Sequence, residues 1–402
     1  MAIPQVNITV QNGGLGIAPA SSEGIQAKVG RISAAEFGDI ASKDQLAVNT
    51  PTQFGSADAI IAACGTGVLA QAAILALQQG GGPVVVCRAA DDAEASGSTS
   101  AVTFQTAASA AIDALKNASL DFEMVHVVCD ADPASATSGL PTSPLSAQEA
   151  GELVTALGLK ATAFWSAHRY DSTFFVVEMA DPASNSAPSI SSTSDFVAVC
   201  QGFVTSTNPI TGATQKNPLA WHATARAAAV GLGIDLARVS VGPLSGVSAV
   251  DHDEAAHGGA CDAAKLITGR TFPRHAGVYL TNGRMLSAEG SDIKYVQHRR
   301  VMNAACAAAY DNLIQLIGTE VPVDLETGGI EAGAAASIEA NCLRAVLDRV
   351  GGAVTSASVA VDRTTNLLST EEIQVSISIV PFGYLKRIEA TIGFKNPALA
   401  SA

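Results

Sequence analysis

Three short stretches bring together residue types that do chemistry. Asp251-His252-Asp253-Glu254-Ala-Ala-His257 places five potential metal ligands within seven residues. A helical zinc motif needs its two histidines four apart, on one face. These are five apart and turn to different faces, so the stretch reads as a polar solvated loop. Gly65-Thr-Gly67-Val-Leu-Ala70 fits a G-x-G-x-x-A pattern, and the apolar run Val84–Cys87 follows, ending in Arg88. In a dinucleotide site such glycines let the backbone approach a pyrophosphate at a helix N-terminus, and an arginine suits a 2′-phosphate. The pattern is weak evidence in an Ala/Gly-rich chain, and a turn before a packed helix is the expected reading. Lys294-Tyr-Val-Gln-His298-Arg299-Arg300 is the densest basic cluster. It reads either as a solvated helix face or as a contact for an acidic partner. His168-Arg169-Tyr170-Asp171 has no matching nucleophile, and neither a P-loop nor a nucleophile-elbow motif occurs. These residues point to no catalytic set, no cofactor and no metal.

Composition narrows the classes further. The 402 residues carry 23 Lys+Arg against 37 Asp+Glu, a formal net charge of -14. A chain this acidic has no footprint for a phosphate backbone, so nucleic acid is excluded as a general partner. Hydrophobic residues make up 48% and charged ones 15%, too apolar for a disordered chain. So low a charge suggests that neighbouring subunits cover part of the surface. The cysteines (Cys64, Cys87, Cys129, Cys200, Cys261, Cys306 and Cys342) lie singly, which suits reduced, buried thiols in a cytoplasm. The start MAIPQVNITV lacks a signal-peptide pattern. The charge-free run Ala59–Leu77 is broken by Gly65 and Gly67, so a buried turn-plus-helix is expected rather than a membrane span.

Periodicity then supplies the elements. Val6, Ile8 and Val10 alternate with polar residues, as in a half-buried strand. Asp58–Leu77 and Thr103–Leu115 read as helical, and Val84–Cys87 and Met124–Cys129 as buried strands. A helix is expected over Ser146–Leu157 with Ser146 as N-cap, then strands at Ala161–Ser166, Phe174–Met179 and Phe196–Cys200. Asp181–Ser194 reads as a surface loop and Pro218–Leu232 as a helix. Gly277–Thr281 reads as a strand, with Asn282-Gly283 as a hairpin turn. Asp292–Ile317 is expected to form a long helix with small residues on much of its surface. Ala332–Val350 is a second helix, with Ile338, Cys342 and Val346 recurring every four residues. Ile373, Val375, Ile377 and Ile379 alternate with polar residues, and Ile388, Ala390, Ile392 and Phe394 mark a last strand beyond Pro381 and Gly383. Such terminal strands either dock on their own sheet or are donated to another subunit.

Several stretches together resemble contractile tail sheath proteins of bacteriophages and related injection machines. They are VNITVQNGGLGIAPASSEGIQAKVG at the start, Phe54-Gly55 with the later GGGPVVVCRA, and NPLAWHATARAAAVGLGIDLARVSVGPLSGV. GVYLT followed by DIKYVQHRRV, the Ile330–Val350 helix and the final strands continue the likeness. The resemblance implies an α/β sheath core with a small inserted α/β outer domain and extended N- and C-terminal β-strand arms. On this reading residues 1–22 are the N-terminal arm, 23–120 the first part of the core, and 121–260 a middle domain. Residues 261–380 are the C-terminal domain and 381–402 the C-terminal arm. It further implies a non-enzymatic subunit that forms stacked six-fold rings around a tail tube and contracts. The implied partners are further copies of the chain, the tube protein, and baseplate and tail terminator proteins, with no stable membrane insertion. The implied location is a virion tail or injection-machine sheath assembled in the bacterial host cytoplasm. Val6, Ile8, Val10, Ile373, Val375, Ile377, Ile379, Ile388, Ala390, Ile392 and Phe394 would then serve inter-subunit arms. Lys294 and His298, sharing a helix face, would look toward the tube. Arg299 or Arg300 would pair with a carboxylate inside the subunit or across a boundary. The other readings are an NADP-dependent oxidoreductase built on Gly65–Ala70 and a non-contractile arm-exchanging shell protein.

Overall fold

The computed structural model describes residues 23–90, 104–118, 120–129, 145, 147–168, 173–180 and 190–394. Val6, Ile8, Val10 and the Ser146 cap therefore lie outside the described residues. The described residues begin with β1 (Gln26–Gly30), α1 (Ala34–Phe37) and β2 (Thr52–Phe54). Then come α2 (Ala57–Cys64), α3 (Val68–Gly80), β3 (Val84–Arg88), α4 (Phe104–Asn117) and β4 (Met124–Val127). α5 (Ala147–His168), β5 (Phe174–Met179) and β6 (Val197–Gln201) complete the first layer set. Its sheet has six strands in the order β2-β3-β1-β4-β5-β6. β2 runs antiparallel to β3, and the remaining pairs are parallel. β1 pairs with β3 on one side and β4 on the other, so the boundary expected at 120/121 runs through a single sheet.

β1, β3, β4, β5 and β6 are buried along their whole length because helices cover both faces, while the edge strand β2 buries only Phe54. Alternate residues divide between the faces. Ala27, Val29, Val85, Cys87, Val125, Val127, Phe175 and Val177 pack toward α4 and α5. Val84 and Val86 pack with Leu69, Ile74 and Trp221 on the opposite side. By the same alternation Lys28, His126 and Glu178 fall on that opposite face, beneath the helix α6 described next.

β7 (Phe203–Thr207), β8 (Thr214–Pro218), α6 (Leu219–Ala229) and β9 (Val247–Val250) follow, the strands forming a small sheet ordered β8-β7-β9. After α7 (Ala260–Ala263), β10 (Gly269–Phe272) and β11 (His275–Leu280) make a hairpin. The C-terminal unit is α8 (Val296–Leu313), α9 (Ala332–Val350), β12 (Val354–Val361), α10 (Leu367–Thr370) and β13 (Val375–Pro381). Ala304, Ala305 and Ala309 of α8 are buried in one cluster with Cys342 and Val346 of α9, and small side chains let the two helices approach.

Four expectations need correction. Ala161–Ser166 is not a strand but the end of α5, because Ala150, Leu153, Val154, Leu157, Ala161 and Phe164 recur at three and four residues and bury one helical stripe. Asn282-Gly283 is not the hairpin turn. That turn is Pro273-Arg274, with Arg274 at φ 64, and Gly283 instead lets the Leu236 side chain approach within 3.0 Å of where a Cβ would stand. The helix expected from Asp292 starts at Val296, since Tyr295 is extended and bridges Arg284, and Met285 N–H donates to the Lys294 carbonyl. Residues 388–394 form no strand with any of the described residues, and they are exposed. No helix among the described residues is long and apolar enough to cross a membrane.

Candidate assembly interface

The C-terminal hairpin and the tail beyond it carry several exposed large apolar side chains, among them Val380, Phe382, Leu385, Ile388, Ile392 and Phe394. β12 and β13 pair antiparallel in a sheet of two strands, with Val361 opposite Val375, Val359 opposite Ile377 and Ala357 opposite Ile379. These residues lie on one face, the unit that stabilises a sheet. They rest on α9; Val361 is buried, and the other five are only half-buried. A two-stranded sheet is marginal alone, and each of its outer edges offers unpaired backbone groups. The expected strand Ile373–Ile379 is thus seated on its own chain from Val375 onward, and no further strand among the described residues pairs with either edge.

The tail is pinned at its root and free beyond. Tyr384 donates its hydroxyl to the Gly233 carbonyl at 2.9 Å, and Lys386 pairs with Asp235. Lys386 Nζ also sits 4.6 Å from the Tyr295 ring centre. Beyond this anchor Leu385, Ile388, Ile392 and Phe394 are 88%, 78%, 96% and 112% exposed. A segment that displays its large apolar side chains to water is unsatisfied as a free chain.

His298 belongs to the anchor. Its ring lies 5.3 Å from Tyr295 and 5.7 Å from Tyr384, and its Nδ1 is 3.1 Å from the Asp292 carbonyl. Burial lowers its pKa, with the charges of Lys294 and Lys386 acting the same way against Asp292 and Asp235. Burial, then Asp235, raises that of the Tyr384 hydroxyl. Lys294 lies before the helix and is exposed, so the two do not share a helical face.

The neighbouring arginines are interior. Arg300 grips Glu123 through Nε at 2.5 Å and Nη2 at 3.1 Å, and donates from Nη1 to the Val230 carbonyl at 3.0 Å. Glu123 also accepts from the Gly24 amide, so one buried ion pair ties α8 to the edges of β1 and β4. Arg299 donates to Asn303 at 2.6 Å and lies 4.4 Å from the Phe196 ring centre; burial pushes its pKa down to about 10.

The glycine loop is filled by the protein itself. The Glu36 carboxylate accepts from the Val68 amide at 3.1 Å, at the N-terminus of α3. A Cβ on Gly67 would stand 2.3 Å from that carboxylate, and one on Gly65 (φ 73) 2.0 Å from the Glu36 carbonyl oxygen. The segment before the loop is α2 rather than a strand. Arg88 is buried against Phe37 and donates to the carbonyls of Leu46 and Ile32. An internal carboxylate thus takes the place where a pyrophosphate would bind.

Two buried polar clusters go beyond the sequence reading. On the α6 face, Lys28 Nζ lies 2.9 Å from His126 Nδ1 and donates to Thr224 Oγ1 at 2.9 Å. His126 Nε2 is 2.9 Å from Glu178 Oε1, which also accepts from Trp221 Nε1 at 2.8 Å. Burial lowers the Lys28 pKa to about 7 against the pull of Glu178. Burial, then the Lys28 charge, lowers that of His126 to about 4. Polar residues of matching parity on β1, β4 and β5 were the available signal. The second cluster corrects the solvated-loop expectation: His252, Glu254 and Cys261 are all buried, and their potential ligand atoms lie within 4.8 Å of one another.

Comparison with known proteins places this architecture. The fold is that of contractile sheath proteins. The anti-feeding prophage helical sheath in its contracted state matches with a TM-score of 0.62 at 16% identity, over 98% of this chain and 100% of that one. An extracellular contractile injection system sheath (PVC, contracted) gives 0.61 at 12% identity, over 98% of each chain. A sheath tail protein from Listeria innocua gives 0.53 at 11%, over 90% and 96%. The chain belongs to the DUF2586 family: that family's N-terminal domain matches residues 3–284 and its C-terminal domain residues 292–399. No curated protein matches the sequence.

Proposed function

We propose that this chain is the structural, non-enzymatic subunit of a contractile tail sheath, held to its neighbours by exchanged terminal strands. The observation that carries the reading is the pairing of an exposed apolar tail with a two-stranded sheet whose edges are open. The sheath fold supports it. One subunit's tail, with Ile388, Ala390, Ile392 and Phe394, adds to a neighbour's β12–β13 hairpin, and Val6, Ile8 and Val10 of another N-terminal arm extend the same sheet. Burying Leu385, Ile388, Ile392 and Phe394 contributes about 6–12 kcal/mol. Ordering ten residues costs about 10–20 kcal/mol, and each ladder hydrogen bond returns about 1 kcal/mol. A single exchange is near balance, so the lattice holds by repetition.

Subunits stack as six-fold rings around a tail tube and contract to drive the tube through a target envelope. Baseplate and tail terminator proteins bound the ends, and assembly takes place in the bacterial host cytoplasm. Lys294, exposed before α8, faces an acidic tube. The Glu36 carboxylate in the glycine loop speaks against the oxidoreductase reading. Deleting the residues after Gly383 tests the proposal: a folded chain that no longer forms tubes in electron micrographs is expected. Tubes of normal length and stability from the truncated chain refute it, and closed particles from the full chain favour a non-contractile shell.

A further inference from the structure

His252 and Glu254 lie in the segment that leaves β9, and Cys261 is the second residue of α7. Backbone contacts seat the first of these segments on β10: Asp253 bridges Gly269, the first residue of that strand, and the Glu254 amide donates to the Gly269 carbonyl at 3.0 Å. Glu254 is oriented by its own outer partners. Its Oε1 accepts from the amides of Cys261 at 2.9 Å and Asp262 at 3.1 Å, which turns Oε2 toward His252 and the thiol. His252 Nε2 then stands 3.1 Å from Glu254 Oε2 and 3.7 Å from Cys261 Sγ.

Those two spacings fit edges of a metal tetrahedron. With zinc bonds of about 2.0–2.1 Å to nitrogen, 2.0–2.2 Å to oxygen and 2.3 Å to sulfur, tetrahedral angles give edges of about 3.3 Å for N···O and 3.6 Å for N···S. The donor set joins one imidazole, one carboxylate and one thiolate, which suits a borderline-soft divalent ion rather than magnesium or calcium. The Glu254 amide contacts are the kind of outer-shell support that ligating carboxylates carry. A further imidazole, His257, stacks on His252 at 4.2 Å, and its Nδ1 is buried without a hydrogen-bond partner. Glu254 and Asp262 line a groove of about 1130 Å³ under the tail root, together with Asp235, Arg284 and Lys386.

We propose that His252, Glu254 and Cys261 form a zinc-binding site that staples the exit of β9 to the start of α7. Water from the groove completes a four-coordinate ion. Binding displaces the Cys261 thiol proton to solvent, so the thiolate and the carboxylate neutralise the ion's two charges. This staple stands independently of the assembly reading, since it lies within one chain.

The test uses the full chain and zinc alone. After zinc loading and dialysis, elemental analysis is expected to find about one zinc per chain. Cys261→Ser and His252→Gln should each lose most of it, with unchanged circular dichroism. Cobalt loaded in place of zinc should show a sulfur-to-metal charge-transfer band that Cys261→Ser abolishes. Wild-type protein that retains no zinc overturns the proposal, as does zinc retained undiminished by Cys261→Ser. If the variants fail to fold, a wild-type cobalt spectrum without the thiolate band overturns it by itself.

Discussion

Arg300→Met should cost the chain about 3–5 kcal/mol of stability. The side chains of Arg300 and Glu123 are 2% and 5% exposed, and the pair is bidentate. Unit charges about 4 Å apart at an effective dielectric of about 20 attract by about 4 kcal/mol. Removing the guanidinium leaves Glu123 buried with the Gly24 amide as a remaining partner, and deprives the Val230 carbonyl of its donor. A domain typically has only about 5–15 kcal/mol in hand, so the variant should sit near the edge of folding. Glu123→Gln strands the opposite charge and should cost a similar amount. The double variant should cost about 2–4 kcal/mol less than the sum, because no buried charge is then left alone. Urea unfolding of the four proteins, followed by circular dichroism, measures the cycle. Hydrogen exchange on α8 should report the same loss locally, since this pair ties that helix to the main sheet. A cost below about 1 kcal/mol for Arg300→Met, or strict additivity, would refute the reasoning.

Three further outcomes follow from other sites. Gly65→Ala forces a side chain into a left-handed conformation against the Glu36 carbonyl, so a loss above about 2 kcal/mol is expected in urea unfolding; a neutral result would show the α2–α3 loop to be pliant. His126 is held to a pKa of about 4 when folded against 6.5 when unfolded, and Lys28 to about 7 against 10.5. In both cases the unfolded chain binds more protons, so stability should fall as pH drops from 6.5 to 4 and rise as pH climbs from 7 to 10.5; flat urea midpoints across both windows would contradict this. Lys294→Glu should leave folding unchanged but loosen the sheath from its tube and promote early contraction in micrographs, most clearly at low salt, and a sheath that stays extended would end that assignment.

Local patterns carried most of the fold. The helix over Ala332–Val350 and the strand at Val84 were legible because each buries one continuous stripe or run. The end of α5 misled because Thr162, Phe164 and Trp165 suit a strand by type, while Leu157, Ala161 and Phe164 continue the helical stripe by position. The onset of α8 was hidden because a bridge from Tyr295 to Arg284, eleven residues back, outweighs local helix propensity. The Lys28–His126–Glu178 cluster needed strand order: β1 and β4 neighbour each other only because β3 pairs on the other side of β1. Cys261 joins His252 through the short α7 turn, which no histidine spacing announces. The apolar tail was visible as a pattern, but its lack of a seat in its own chain was not.

The anchor at Tyr384 and Lys386 fixes how far that tail can travel. Phe394 lies eight residues beyond Lys386, a fully extended span of roughly 26–29 Å. If a neighbour holds the far end, the anchor and the neighbour's binding strand can never be farther apart than this. The tail then acts as a tether of fixed length, slack at short separations and taut at its limit. Rearrangement of the lattice is confined to paths along which every tether stays within reach. Lengthening the segment after Lys386 with flexible residues would relax that bound, and shortening it would lock the rings together.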